Sequence, residues 1–534
     1  MYRHGSLNRV FRLVWRRALN SWIPVAETRR GKFKGSTRVL IAAVLSLSSG
    51  IVAAGPLGGQ VVTGAATIST SGTTTTVQQS SQDLSLNWKT FNIAPQETVD
   101  FVQPSVTSIA VNRIFDVNGS QILGHLDANG QVYLINPDGI VFGRGAQVDV
   151  GGLVASTLNL NDPTLGSDTK TFGGPGSGSI VNNGTISASS GGYVALLANT
   201  VSNNGTISAQ LGSVALGAGS AATLTFSGNH LVHMQVDQSV LDSLAENSGV
   251  IRADGGQVLM TAGAKDTLLA SVVNNTGVIE ANTVENRGGS IALMGGPAGQ
   301  VVVMGTLDAS SATGPGGEIV ATGETVLVGD GARVAATGAT AGGGIAIGGG
   351  WEGGGGIAEA TGVYVSKSAT LDASATGRGN GGQLVVRSNV NDPASATRVY
   401  GTLLAKGGPE GGDGGRIETS GHYLDVTGIV ADASAPAGVA GEWLLDPYNV
   451  IIGSTTSGNT YTAPNFSPTS SDSTILASTI STALTGGSNV TITTGSSGSS
   501  LGDITVNTAI TKTAGATTTL TLQAADSIII NQPV

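Results

Sequence analysis

His230 and His233 stand three residues apart, and a His-x-x-His pair offers two imidazole nitrogens of the kind that hold a transition metal. The residues between them are Leu231 and Val232, and Asp237 is the one carboxylate close by, so the pair reads as strand or loop surface and no metal site is assigned. Cleavage of an acidic polysaccharide needs grouped carboxylates for calcium or proton transfer, with a Lys or Arg beside the scissile sugar. Basic residues after position 54 are few and scattered, from Lys89 and Arg113 to Lys512, and no compact Asp-rich group accompanies any of them. The chain has no cysteine, which removes thiol catalysis, Cys-ligated zinc and disulfides. No catalytic residue and no cofactor site is assigned, and the chain is expected not to be an enzyme. The remaining chemistry is hydrogen bonding at a corner, in Asn136-Pro137-Asp138-Gly139-Ile140. Asn136 can bond its side chain to nearby backbone N–H, Pro137 presets φ at the first corner position, and Gly139 takes the φ > 0 conformation that closes the turn.

Such a corner has to sit between two strands, and the flanking residues supply them: Gln131–Ile135 before it and Ile140–Phe142 after it. The same layout recurs along the chain. Short Val/Ile/Leu runs such as Gly192-Tyr-Val-Ala-Leu-Leu197, Gly256-Gln-Val-Leu-Met260 and Ser290-Ile-Ala-Leu-Met294 are bounded by Gly or Asn. With 82 Gly, 4% aromatic and 11% charged residues, these runs do not suit a compact aromatic core, while a mean hydropathy of +0.18 argues against a solvated coil.

Asn182-Asn-Gly-Thr-Ile-Ser-Ala188 returns nearly unchanged as Asn203-Asn-Gly-Thr-Ile-Ser-Ala209, and looser copies follow at Asn247, Asn275, Gly305, Ala369 and Gly401. Self-similarity at this spacing means a solenoid. The expected architecture is all-β, a parallel β-helix whose coils send Val, Ile and Leu inward and Thr, Ser and Asn outward. Asn182 and Asn203 are expected to stack, each amide bonding to the next. The Gly-rich tract Gly342–Gly356 reads as a flexible insertion or a series of tight corners, with insertion favoured, and the Ser/Thr-rich stretch Tyr461–Thr482 as a loosened region before strands resume at Ile504.

The corner segment resembles the Asn-Pro-Asn-Gly-Ile hallmark of the haemagglutination-activity domain of two-partner secretion exoproteins, with Asp138 in place of the second Asn. The resemblance extends through Leu84–Trp88, Phe91–Ile93, Val111-Asn112-Arg113-Ile114, Ile122–Leu126 and Gly152–Thr157, and Gly441–Tyr448 looks like a segment of large adhesins of the same family. It implies a right-handed β-helix with an N-terminal β cap, and makes Asn136, Pro137, Gly139 and Ile140, with Asn112 and Arg113, structure-forming residues of a secretion domain. It also implies an outer-membrane β-barrel transporter with periplasmic recognition modules as partner, and a secreted adhesin or haemagglutinin of a Gram-negative cell surface that meets a host-cell receptor or glycan as a monomer. The domain division expected is 1–54 signal, 55–175 secretion domain and 176–534 repeat region. Members of this family are usually much longer, so a truncated product is expected. The competing function is an extracellular β-helix polysaccharide lyase or hydrolase.

The first residues support export. Val39–Leu47 is an apolar stretch preceded by Arg29, Arg30, Lys32, Lys34 and Arg38 and followed by Val52-Ala-Ala-Gly55, the three-part layout of a secretory signal with cleavage after Ala54. The further basic segment Asn8–Arg17, leading to Trp22, resembles the extended signal region of Gram-negative exoproteins, with Asn8, Arg12, Trp15 and Trp22 as the matching residues. Residues 1–54 carry ten Lys/Arg and one acidic residue, so the processed chain keeps 15 basic against 34 acidic residues, a net charge of about −19. No basic stripe survives for nucleic-acid binding.

Overall fold

The computed structural model describes residues 11–16, 21–26, 55–161, 167–227, 230–238, 243–263, 272–284, 287–456, 472–495 and 502–534. Residues 1–53 form one unit, in which Phe11–Arg16 pairs antiparallel with Ser21–Ala26, and residues 54–534 form a second. The leader's apolar stretch Val39–Leu47, Asn8 and Ala54 lie outside the described residues.

The second unit is a right-handed parallel β-helix whose stacked coils follow the sequence repeats. Each coil contributes up to three short strands. Val278–Glu280, Ser290–Met294 and Gln300–Val303 form one turn, and each pairs in parallel with its counterpart in the next: Thr306–Asp308, Glu318–Thr322 and Thr325–Val328. A coil alone leaves its inner face wet, so stability accumulates through stacking on neighbours. Leu84, Val132, Leu153, Val194, Val214, Val258, Ile291, Ile319, Ile345, Leu384, Ile417 and Trp443 are buried in one column of the interior. At its N-terminal end the stack is capped by antiparallel pairing, Gln60–Thr63 on Asp83–Trp88 and the hairpin Ala66–Ser71 with Thr74–Gln79.

Glycine abundance has a geometric cause. A Cβ on Gly212 would lie 1.9 Å from the Gly192 carbonyl oxygen, and the same conflict recurs for Gly256 on Gly212, Gly343 on Gly317, Gly382 on Gly343, Gly415 on Gly382 and Gly441 on Gly415. Adjacent coils touch backbone to backbone at this corner, so no side chain fits. Gly343 belongs to this column and Gly344–Ile347 is a strand of the stack, which corrects the reading of Gly342–Gly356 as wholly insertion. Only the portion from Gly348 onward leaves the coil.

Two further expectations are corrected. Over the early coils the outward face is apolar, because a four-stranded antiparallel sheet (Asn159–Leu160, Thr169–Gly173, Ala221–Ser227, His230–Gln238) lies on it. Val111, Tyr133, Val154, Tyr193, Ala195 and Leu197 of the coils pack there against Phe172, Leu224, Phe226, Leu231 and Met234. Strands buried on both faces carry unbroken apolar runs, as Tyr193–Ala198 does. The region before Ile504 is also more regular than expected. Residues 457–471 lie outside the described residues, but Asp472–Leu476 is a strand and Ala477–Gly486 a helix. Its buried Ala477, Ile480, Ala483 and Leu484 share a face, and Gly487 at φ 96° stops it.

Candidate functional site

The strand Gln131–Ile135 is buried along its whole length and delivers Asn136 to the corner with its side chain fully enclosed. Asn136 Oδ1 accepts the Asp138 backbone N–H at 3.1 Å, and its carbonyl accepts the Gly139 N–H at 3.1 Å, which closes a β-turn with Pro137 at its first corner position. Gly139 has φ 114°, and a Cβ there would meet the Ser179 carbonyl at 3.0 Å. The remaining bonds run along the stack. Asn136 Nδ2 donates to Ser120 Oγ at 3.0 Å and the Ser120 N–H to the Gly139 carbonyl at 2.9 Å, both in the preceding coil. The Asn136 N–H donates to the Ser156 carbonyl at 2.9 Å and the Gly178 N–H to the Pro137 carbonyl at 3.0 Å, both in the following coil. The corner is therefore a rivet between three coils. Ile140 is buried behind it, Pro137 is half-buried, and Asp138 is exposed. Its backbone N–H makes the bond to Asn136, so the turn uses position 138 through the main chain and carries Asp in place of Asn.

Asn112 and Arg113 are not part of that corner. Asn112 sits in the interior on Ile109–Ile114, where its Oδ1 accepts the Trp88 indole N–H at 2.9 Å and its Nδ2 donates to the Ala110 and Tyr133 carbonyls at 3.1 and 3.2 Å. It satisfies the one polar atom of a buried tryptophan beneath the cap. Arg113 points the other way, and its Nη1 donates to Ser85 Oγ at 2.8 Å. Partial burial lowers its pKa from the usual arginine value.

Downstream, the repeated asparagines form a buried ladder. Asn182 Nδ2 donates to Asn203 Oδ1 at 2.8 Å, Asn203 to Asn247 at 2.7 Å, and Asn247 to Asn275 at 2.8 Å. These pairs are 21, 44 and 28 residues apart in sequence, yet each is one coil apart in space. The longest step is lengthened by the strands of the outer sheet, Ala221–Ser227 and His230–Gln238.

His230 and His233 lie on that outer sheet, the first against the Gly191 carbonyl and the second exposed. His125 is half-buried at the start of a strand, in register with Thr98 and Gln147. Sequence reasoning missed Phe115 and Val117, which are 65% and 78% exposed on the turn stacked against Gly139. Apolar residues inside a Phe-Asp-Val-Asn-Gly turn were the available signal. None of these groups assembles a nucleophile with a base, and the geometry provides a structural corner with an exposed crown.

Residues 54–309 match the family described as the TPS secretion domain, and residues 8–55 match the extended signal peptide of the type V secretion system. The crystal structure of the HMW1 secretion domain from Haemophilus influenzae is similar at 31% identity and a TM-score of 0.64, over 73% of this chain and all of that one. Two curated relatives, both called heme/hemopexin-binding protein and both from H. influenzae, are 34% identical over 246 residues and 31% identical over 240 residues. The matches take in 45% and 41% of this chain but 27% and 26% of the relatives, so the chain spans about a quarter of their length. The chain belongs to the two-partner secretion exoproteins. It is a secreted protein, exported across the Gram-negative outer membrane.

Proposed function

We propose that the cap and first coils are the address read by an outer-membrane β-barrel transporter, and that the exported chain acts on the cell surface as an adhesin for a host receptor or glycan, by binding without turnover. The observation that carries the first half is the match of residues 54–309 to a secretion domain, together with the exposed apolar pair Phe115 and Val117 on the turn against the family corner. Large side chains left in water beside a buried motif are what a partner surface covers. Periplasmic modules pair with extended backbone, and the exposed cap strand Gln60–Thr63 offers it. Stacking of coils as they emerge outside biases threading outward without ATP. A second reading of the cargo, haem or hemopexin capture, is favoured by the names of the two curated relatives.

The test uses the full chain expressed with its transporter. Phe115→Ser with Val117→Ser should leave the folded stability within about 0.5 kcal/mol, because both side chains are exposed, while extracellular yield falls. Undiminished yield would remove these residues from the recognition surface. For the cargo, the purified processed chain should bind host cells; capture of hemopexin without cell binding would replace the adhesin reading by the second.

A further inference from the structure

Ser290, Glu318, Gly344, Gln383, Arg416 and Glu442 stand in register on the outward side of successive coils, so Gly344 interrupts a column of polar side chains. The fold does not require glycine there. A Cβ on Gly344 would meet nothing closer than Glu318 Cγ at 3.7 Å, an ordinary contact, whereas on Gly342 and Gly343 it would meet carbonyl oxygens at 1.9 and 2.1 Å. Gly344 is an ordinary strand residue outside the left-handed region, and its pairing to both neighbouring strands runs without a bulge. Gly152, the glycine of this column in an early coil, is covered by the Tyr193 ring, 2.8 Å from where its Cβ would stand, and no side chain fills the place at Gly344 in that way. A mid-strand glycine forfeits packing and conformational entropy. With no bulge and no backbone pressed on it, the remaining reason for one is the close approach of a ligand.

The absent side chain leaves a groove of about 470 Å³ between Glu318 and Gln383, walled on one side by Ile357 of the insertion that departs at Gly348. That volume is the scale of a small-molecule site, and in a solenoid the inserted loops mark the binding face. The wall is rigidly held. Glu359 Oε1 accepts Arg387 Nε at 2.8 Å, Arg387 Nη1 donates to the buried Glu418 at 2.6 Å, and Glu418 Oε2 accepts the Glu352 backbone N–H at 2.7 Å. Arg416 lies 4.8 Å over the Trp351 ring and donates to Gln383 Oε1 at 3.3 Å, which leaves the Gln383 NH2 to donate. No Phe, Trp or Tyr lies between Phe226 and Trp351, and Trp351 is half-buried where Trp88 and Trp443 are buried.

We propose that the groove at Gly344 is a subsite for a neutral sugar of a surface glycan. The proposal rests on the reading of the exported chain as an adhesin. The Glu318 carboxylate accepts hydroxyl protons at one end, the Gln383 NH2 donates to a hydroxyl oxygen at the other, and Ile357 meets the C–H face of the ring. Glu318, with Glu352 and Glu442 beside Arg416, leaves the rim acidic, which selects against sialic and uronic acids. The wall is fixed before binding, so little ordering cost falls on the complex.

The test titrates the purified processed chain with lactose, N-acetyllactosamine, mannotriose and chitotriose, and with sialyllactose as the anionic probe. At least one neutral probe should bind more tightly than sialyllactose. G344Q continues the polar column into open space, so it should keep the parent's circular dichroism and melting temperature and lose the binding. Q383A, at an outward position, should weaken binding by about tenfold, the loss of one neutral hydrogen bond. No neutral probe bound at millimolar concentration, tightest binding of sialyllactose, or parent-like binding by folded G344Q or Q383A would each overturn the proposal. Adhesion to host cells separates it from the reading beneath it. Parent and G344Q chains that adhere equally would discard the groove and keep the adhesin, whereas a parent that binds a neutral probe in the groove but no cells would keep the groove and discard the adhesin.

Discussion

Asn182 donates its side-chain amide to Asn203 across one coil, at 2.8 Å and with no exposure of either residue. The rung repeats to Asn247 and Asn275, and there the column changes chemistry. Register places Val303, Val328, Val365 and Val399 at the following positions and Phe142 and Ile122 at the preceding ones. The ladder is a polar insert in an otherwise apolar column, and each inner amide satisfies its neighbour.

Removing an inner rung should therefore cost more than removing the last. Asn203→Ala leaves Asn182 Nδ2 with only the Thr206 carbonyl at 3.4 Å and takes away the amide that donates to Asn247 Oδ1, and should destabilise the fold by about 2–4 kcal/mol, since a buried unpaired group costs about 1–3 kcal/mol. Asn275→Val continues the valine column and leaves Asn247 with the Val278 carbonyl at 3.3 Å, so about 1–2 kcal/mol is expected. Denaturant midpoints of the two variants check the order.

The glycine two places after each ladder asparagine is a steric requirement. A Cβ on Gly249 would stand 2.1 Å from the Gly205 carbonyl, which already accepts the Val250 N–H at 2.9 Å. Gly249→Ala should force neighbouring coils apart and cost about 1–3 kcal/mol, whereas Gly331→Ser, at an open corner with nothing within 4 Å, should cost less despite its φ of 73°. Thermal unfolding of both variants decides this.

Tyr133 and Tyr193 meet hydroxyl to hydroxyl at 3.0 Å between the stack and its outer sheet, with Tyr193 donating to Gln131 Oε1 at 2.6 Å. Burial raises the pKa of both phenols above the ordinary 10.0. The native state keeps these protons where the unfolded chain would lose them. The stabilisation is full below the ordinary value and is lost as the pH climbs past it. In an ultraviolet titration, at least two tyrosines should ionise only together with loss of β structure. Ionisation of all tyrosines near the ordinary value in a folded chain would contradict this.

Local features of this fold were legible and long-range ones were not. The Asn136 turn, the Asn182/Asn203 stack and the coiled parallel strands follow from short-range turn chemistry and from repetition. The outer sheet was missed because Lys170–Phe172 and Ala222–Phe226 alternate like any strand; the sign of a second buried face lay in Tyr193–Ala198, which does not alternate. The helix Ala477–Gly486 was hidden by its Ser and Thr content, and its buried positions match a helical period. The partner of Asn112 was not legible for a different reason. Register sets Asn112 opposite Leu134 in mid-strand, and its partner Trp88 lies 24 residues away in sequence.

Secretion of corner variants tests the account most directly. With the transporter present, the chain carrying Asn136→Ala and Pro137→Ala should lose most of its extracellular yield, because the Asn136 side-chain bonds to Ser120 and to the Asp138 N–H and the preset φ of Pro137 go with them, while Asp138→Asn, at an exposed position joined through its backbone, should be exported like the parent. Normal export of the double variant, or failure of Asp138→Asn alone, would contradict the role assigned to this corner.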